Sequence, residues 1–322
     1  MTGRSLMTAI RYERFGGPDV MQLVEVPAPE PGPGQVRVAL HAASVIPADW
    51  KLRAGELQHL FSIGFPKIPG RDGAGVVTKL GDGVDYVTLG AKVCVVAQHT
   101  EQGTYAQAIV RDRDSIVELP ADLSFEQGAA LMHAGICAWI ALVETANLQR
   151  GMRILVHAGA GAIGGLAVQL AHHIGAHVAA TCRSANVDYV AAFGADEVVA
   201  YDREDFAEKL RGYDVVLDLM GGDVHRRSYA VLRRGGHMVC LHAAPIRDQS
   251  QDFGIRLSFA PIHDRRYTLE AVTDLARRGV LRPQIRDRMP LTQAVEAHRR
   301  LERNEVTRGR LVLQIPPYEI VP

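Results

Sequence analysis

The stretch Arg153–Ser184, RILVHAGAGAIGGLAVQLAHHIGAHVAATCRS, decides the fold. Ile154, Leu155 and Val156 form the short apolar run that a strand buried on both faces requires. Gly159-Ala160-Gly161-Ala162-Ile163-Gly164 follows, a G-x-G-x-x-G. Glycines at such a turn let the backbone bend sharply and approach a pyrophosphate, and the helix that starts there turns its unpaired N–H groups and positive dipole end toward the phosphates. Leu166, Ala167, Leu170, Ala171 and Ile174 recur at helical spacing, Gly175 suits a left-handed C-terminal position, and residues 177–181 read as a second strand. Such a motif alone is weak evidence. Placed after a strand and before a helix, in a βαβ unit of the right length, it predicts nucleotide binding. Residues 154–171 also hold few polar side chains, but the glycines, His157, Gln169 and the strand-like start argue against a membrane span.

An NAD-selective site usually carries an acid at the end of the second strand. Here that region is Thr181-Cys182-Arg183-Ser184-Ala185-Asn186, without a carboxylate. Arg183 pairs well with a ribose 2′-phosphate and Ser184 can donate to it, so NADPH is the expected cofactor. One surviving charge-assisted hydrogen bond, worth roughly 1.5–3 kcal/mol, favours NADPH about tenfold or more.

Outward from this unit the chain divides in character. Residues 7–120 read as mostly β, with strict alternation at Val36, Val38 and Leu40 and further strands expected at 75–79, 92–97 and 104–110, the pattern of a small barrel or rolled sheet. Ser124-Phe-Glu-Gln127 is a capping-box signature, predicting helices over 126–132 and 136–145. Beyond the glycine turn, strands expected at 198–201, 214–219, 237–241 and 256–262 alternate with helices, which makes a doubly wound parallel sheet. Amphipathic helices over 267–279 and 293–304 follow, and a closing strand over 309–315 has the first domain open to it. The pattern makes the fold class α/β, a small barrel or rolled sheet followed by a doubly wound parallel sheet.

The 322 residues suffice for two domains, and 36 basic against 36 acidic side chains leave no net charge to favour nucleic acid. Four scattered cysteines suggest neither a disulfide framework nor a metal motif. The start lacks the apolar core of a signal peptide, so a cytoplasmic setting is expected.

Several stretches, in this order, carry a resemblance: FGGPDVMQLVEVPAPEPGPGQV (15–36), VIPADWKLRAG (45–55), IPGRDGAGVV (68–77), GTYAQ (103–107), the glycine turn, FGADEVVAY (193–201), DVVLDLMGGD (214–223), RRGGHMV (233–239) and RGRLVL (308–313). The chain resembles the zinc-independent quinone oxidoreductase, or zeta-crystallin-like, branch of the medium-chain dehydrogenase/reductase superfamily over nearly its whole length. The resemblance implies a GroES-like β-barrel catalytic domain built from both chain ends, 1–125 and 264–322, with a Rossmann NADP-binding domain at 126–263 inserted, a cofactor cleft beside the nucleotide domain, and a homodimer formed through an edge strand near Arg256–Ile262. It implies no metal, since zinc-dependent relatives place cysteine at Ile46 and a histidine-glutamate pair at Arg71-Asp72, and these side chains do not make a zinc site.

The resemblance also assigns contacts: Gly161, Ala162 and Ile163 to the pyrophosphate; Thr181, Arg183, Ser184 and Tyr201 to the 2′-phosphate; Leu219 to the adenine ribose. Leu241, His242 and Ala243 are assigned to the nicotinamide ribose, Phe259, Ala260 and Pro261 to the nicotinamide, and Arg310 to the cleft. Ile46 and Cys137 stand where the branch mostly has asparagine and threonine beside the ring, and they make the pocket more apolar. Trp50, Leu60 and Phe61 are expected along an apolar substrate wall. No general acid is identified; Lys51 and Tyr105 are the candidates. The implied reaction is hydride transfer from NADPH to a quinone or an α,β-unsaturated carbonyl. The alternatives are an enoyl-thioester reductase of a polyketide-type pathway, and a non-enzymatic NADPH- or nucleic-acid-binding protein using Arg226, Arg227, Arg233 and Arg234.

Overall fold

Apolar side chains that alternate along one strand need a sheet with one face turned inward, and Val36, Val38 and Leu40 are almost wholly buried. They lie in the third of seven N-terminal strands of the computed structural model, which describes residues 5–241 and 245–318. These strands are β1 (Leu6–Arg11), β2 (Gln22–Pro27), β3 (Gln35–Val45), β4 (Asp72–Leu80), β5 (Lys92–Val96), β6 (Ala108–Asp112) and β7 (Ile116–Glu118). The next six are β8 (Arg153–Val156), β9 (His177–Cys182), β10 (Glu197–Ala200), β11 (Tyr213–Asp218), β12 (Leu232–Cys240) and β13 (Arg256–Phe259). The last two are β14 (Ile285–Pro290) and β15 (Arg310–Gln314).

The chain forms two units, one from Met1–His133, Asp264–Arg277 and Pro283–Pro322, the other from Ala134–His263 and Arg278–Arg282. In the first unit β3 is the hub. Its first half pairs antiparallel with both β4 and β6, and its second half with β4 and β15. The seven-stranded sheet runs β14-β15-β3-β4-β5-β7 with β6 on β3, beside a β1–β2 hairpin. The closing strand β15 lies in this unit, paired with β3. In the second unit six parallel strands run β10-β9-β8-β11-β12-β13. Order reverses between β8 and β11, and in such sheets ligands bind beyond the strand ends at that point.

The strand expected at 104–110 begins four residues later and ends two later, at Ala108–Asp112. Thr104 and Tyr105 leave the ladder because their backbone bonds go to Gly70, Pro69 and Ile10 instead. The capping box at Ser124 and Gln127 forms in both directions, but the two expected helices are one. Gly135 sits inside Phe125–Trp139, which loosens only into a π-helical turn at Ile140–Thr145. A mid-helix glycine costs about 1 kcal/mol, and complete burial of the neighbouring Ala134, Ile136 and Ala138 offsets it. Phe125–Thr145 is long and apolar enough to cross a membrane, yet 72% of its apolar window is buried inside the protein, as in a core helix.

Candidate cofactor site

At the end of β8 the chain turns through Ala158, whose φ of 53° is unusual for a residue with a side chain. The Gly159 N–H donates to the Thr181 carbonyl at 2.8 Å, and Gly161 caps the helix Ala162–Ile174. A Cβ on Gly164 would lie 2.1 Å from the Ala158 carbonyl oxygen, so only glycine lets the helix sit this close to the turn. Gly161 is half-buried, and a built Cβ there would lie 3.3 Å from the Ala158 oxygen, a tight contact. The first-turn N–H groups of Ala162, Ile163 and Gly164 have no carbonyl partner within the helix. Orphan donors, a positive dipole end and a glycine at the helix cap together fit an anion such as a pyrophosphate.

A buried brace holds this turn from below. His157 Nε2 is 2.8 Å from Ser228 Oγ, and Nδ1 is 3.0 Å from Thr181 Oγ1. Ser228 donates its own proton to the Val224 carbonyl, so His157 Nε2 carries the hydrogen and Nδ1 accepts from Thr181. Burial pushes the imidazole down to about 4, which keeps it neutral. Thr181 also accepts the Ala158 N–H and is 3% exposed. Its hydroxyl therefore supports the turn from inside. The brace joins residues 24 and 71 positions apart, which no local pattern signals.

At the outer rim, beyond β9 and β10, the exposed Arg183 donates through Nε to Tyr201 Oη at 3.2 Å. Tyr201 is half exposed, so this pair faces solvent as a phosphate-binding pair must. The Ser184 N–H and hydroxyl behave differently: both donate to the Asp202 carboxylate, each at 2.7 Å. Those two bonds hold the Asp202 carboxyl below its ordinary range. The sequence reading found no acid at the second-strand end; the structure brings one there from the end of the third. Its only signal was its place directly after Tyr201.

At the end of β11, Asp218 is fully buried. Its Oδ1 accepts the Met220 and Gly221 N–H groups at 2.9 Å, and its Oδ2 lies 2.8 Å from His225 Nδ1. Asp218, His225 and Cys240 are the one convergent group of three possible metal ligands among the described residues. The carboxylate is already saturated by hydrogen bonds, and burial pushes the Cys240 thiol up to about 12, so the group reads as a closed network that shapes the strand end. Leu219 and Leu241 are half-buried, Ala260 is buried, and Phe259 and Pro261 are exposed. Cys137 is buried. His242 and Ala243 lie outside the described residues.

In the first unit, Ile46 is buried and its N–H donates to Asp49 Oδ2 at 2.9 Å, starting the helix Pro47–Ala54. Tyr105 Oη donates to the same carboxylate at 3.2 Å and lies 3.3 Å from His298 Nε2. Burial raises Asp49 to about 7 and Asp72 to about 6, and pushes the Tyr105 phenol well above its usual range. Tyr105 is wholly buried and held in this network by its bonds to Asp49 and His298. Arg310 is 5% exposed, and its charge favours the ionised forms of Asp49 and Asp72. Lys51 lies over the Trp50 ring, 5.7 Å from its centroid. Phe61 packs edge-on against His99, whereas Leu60 is 63% exposed.

Arg71 is the site residue whose role the sequence reading missed. Its Nη2 lies 2.6 and 2.7 Å from the two Asp264 oxygens, Nη1 donates to the Ala97 carbonyl, and Nε donates to His133 Nδ1. A buried guanidinium thus stands at the position discussed for zinc ligands, and a fixed cation there opposes binding of a second one. The arginines offered for nucleic acid are mostly engaged: Arg226 with Asp223, Arg227 with Asp205 and Asp223, Arg233 with Asp214.

Residues 32–121 match the family described as alcohol dehydrogenase GroES-like domain, and residues 193–313 the one described as zinc-binding dehydrogenase. The chain is 30% identical over 329 residues to the quinone oxidoreductase of Sus scrofa, covering 97% of this chain and 99% of that protein. It is 40% identical over 202 residues to the chloroplastic quinone-oxidoreductase homolog of Spinacia oleracea, a match that spans 61% of each. The quinone oxidoreductase structure from Coxiella burnetii superposes with a TM-score of 0.87 at 33% identity, over 97% of this chain and 100% of that one. That of Escherichia coli quinone oxidoreductase complexed with NADPH gives 0.86 at 27% identity, over 95% and 99%.

Proposed function

The chain belongs to the quinone oxidoreductase branch of the medium-chain dehydrogenase/reductase superfamily, and we propose that it is an NADPH-using, zinc-independent reductase of quinones or α,β-unsaturated carbonyl compounds. The observation that carries this reading is the glycine-capped helix start at Gly161 beyond the end of β8, on the same side of the sheet as the exposed Arg183–Tyr201 pair beyond β9 and β10. When bound, the nicotinamide supplies the hydride. The N–H groups of Ala162 and Ile163 hold the pyrophosphate, Leu219 flanks the adenine ribose, and Arg183 with Tyr201 holds the 2′-phosphate. In the second unit Cys137 offers the ring an apolar neighbour; in the first, Ile46, Trp50 and Phe61 are the apolar side chains proposed for the acceptor.

Arg71 supports a reaction without zinc, because its buried charge occupies the position where a metal ligand would be needed. Tyr105 and Lys51 are both engaged within the protein, so the proton that completes the reduction comes from water or the acceptor. Arg256–Phe259, the edge strand of the parallel sheet, is the proposed homodimer contact, and the setting is cytoplasmic.

The test is oxidation of NADPH by the purified protein with a small quinone, a simple enone and an enoyl thioester in parallel, each beside an NADH control. Turnover with the quinone or the enone supports the reading. Turnover with the thioester alone replaces it with a thioester reductase, and tight NADPH binding without turnover on any acceptor replaces it with a binding protein.

A further inference from the structure

Resting on the reading that this sheet edge takes the adenosine end of the cofactor, we propose that Asp202 is a specificity-determining residue. It holds the preference for NADPH down and lets the protein use NADH as well.

The argument starts from which donors are free. A ribose 2′-phosphate needs N–H and O–H groups and positive charge; a 2′-hydroxyl needs an acceptor. Ser184 offers an amide and a hydroxyl at the end of β9, but both are bonded at 2.7 Å to the two oxygens of Asp202. Those donors are not available to a phosphate unless it displaces a carboxylate that is already ionised. Arg183 uses Nε on Tyr201, which leaves the rest of its guanidinium for a ligand. A phosphate at this rim therefore meets one guanidinium and, beside it, one carboxylate of like charge. A 2′-hydroxyl meets a carboxylate that can accept from it.

Asp202 is exposed, as are Arg183 and Tyr201, so the whole set is open to a ligand without rearrangement of the core. Asp202 binds Ser184, whereas Arg183 binds Tyr201. Selectivity is thus a balance between Arg183, which attracts the phosphate, and Asp202, which repels it and occupies its donors.

The test is calorimetric titration of the wild-type chain, Asp202→Asn and Asp202→Ala with NADPH, NADH, 2′,5′-ADP and 5′-AMP at one ionic strength. Asparagine keeps an acceptor for Ser184 and removes only the charge; alanine also frees the Ser184 donors. The wild type is expected to bind the two dinucleotides within about tenfold of each other. Asp202→Asn is expected to tighten NADPH and 2′,5′-ADP about tenfold, and Asp202→Ala at least as much, with NADH and 5′-AMP changing less than about threefold. If both dinucleotides bind but neither variant changes their ratio, or if the wild type already prefers NADPH by more than about a hundredfold, Asp202 does not set selectivity and the cofactor site itself still stands. If neither dinucleotide nor fragment binds the wild type, the reading of this edge falls and the inference with it.

Discussion

Removing the Asp264 carboxylate should destabilise the first unit by about 3 kcal/mol, because it leaves the Arg71 guanidinium buried without its counter-charge. The magnitude follows from the contacts. The Arg71 and Asp264 side chains are 4% and 3% exposed and meet at 2.6 and 2.7 Å. Breaking one side of a buried pair costs about 3–5 kcal/mol. The lower end applies here because Nη1 keeps the Ala97 carbonyl and Nε keeps His133 Nδ1. That last bond needs an unprotonated imidazole, and burial with the adjacent guanidinium holds His133 well below its usual range. Gln98, which donates to the same carboxylate at 2.7 Å, also loses an acceptor.

The chain's two tryptophans allow the effect to be read in one unit. Trp50 lies in the first unit and Trp139 in the second. In a Trp139→Phe background, urea unfolding followed by Trp50 fluorescence reports the first unit alone. Asp264→Ala should lower its stability by about 3 kcal/mol, whereas Arg71→Met with Asp264→Leu together should recover most of it, since a well-packed apolar pair replaces a buried ion pair at little cost. A loss below about 1 kcal/mol for the single change, the value of an exposed pair, would refute the reasoning. So would a double variant as unstable as the sum of the two single ones.

Three further outcomes are expected. Gly164→Ala places a Cβ 2.1 Å from a backbone oxygen that cannot swing aside; a cost of about 1–3 kcal/mol or more and weaker NADPH binding should appear in a Trp50→Phe background, and an unchanged midpoint with unchanged binding would show that the turn yields. Arg183→Ala should weaken NADPH about tenfold, the lower end for an exposed charge-assisted bond, and NADH far less; equal losses by titration would remove Arg183 from the 2′-phosphate. Asp49, raised from 3.8 to about 7 by burial, holds a proton in the folded chain that the unfolded chain releases. Its contribution to stability is therefore complete below about pH 4 and lost as pH rises through about 7. Asp49→Asn should gain on the wild type over that interval by up to about 1.4 kcal/mol per pH unit, and unfolding curves whose difference is flat with pH would refute it.

What was legible in the sequence was what depends on near neighbours. The glycine turn lies within six residues, each with a steric reason, and the structure places Gly164 against Ala158 as such a motif requires. The helix Pro47–Ala54 carries readable punctuation as well, a proline at its first position and Gly55 in a left-handed conformation after it. β14 was missed because its exposed arginines and aspartate blur the alternation of IRDRMP.

The chemistry at the rim depends instead on pairs far apart in the chain. Arg71 meets Asp264 across 193 positions and His157 meets Ser228 across 71. At the second-strand end, the motif rule looked for an acid in the segment after β9 and found none. In a parallel sheet, however, the end of the neighbouring strand is equally close. β10 pairs in register with β9, Ala200 beside Cys182, so the residues that follow each, Asp202 and Ser184, come together. Cofactor preference in such a sheet is therefore written in two adjacent strand ends, and a reading of either one alone assigns it from half of the charges present.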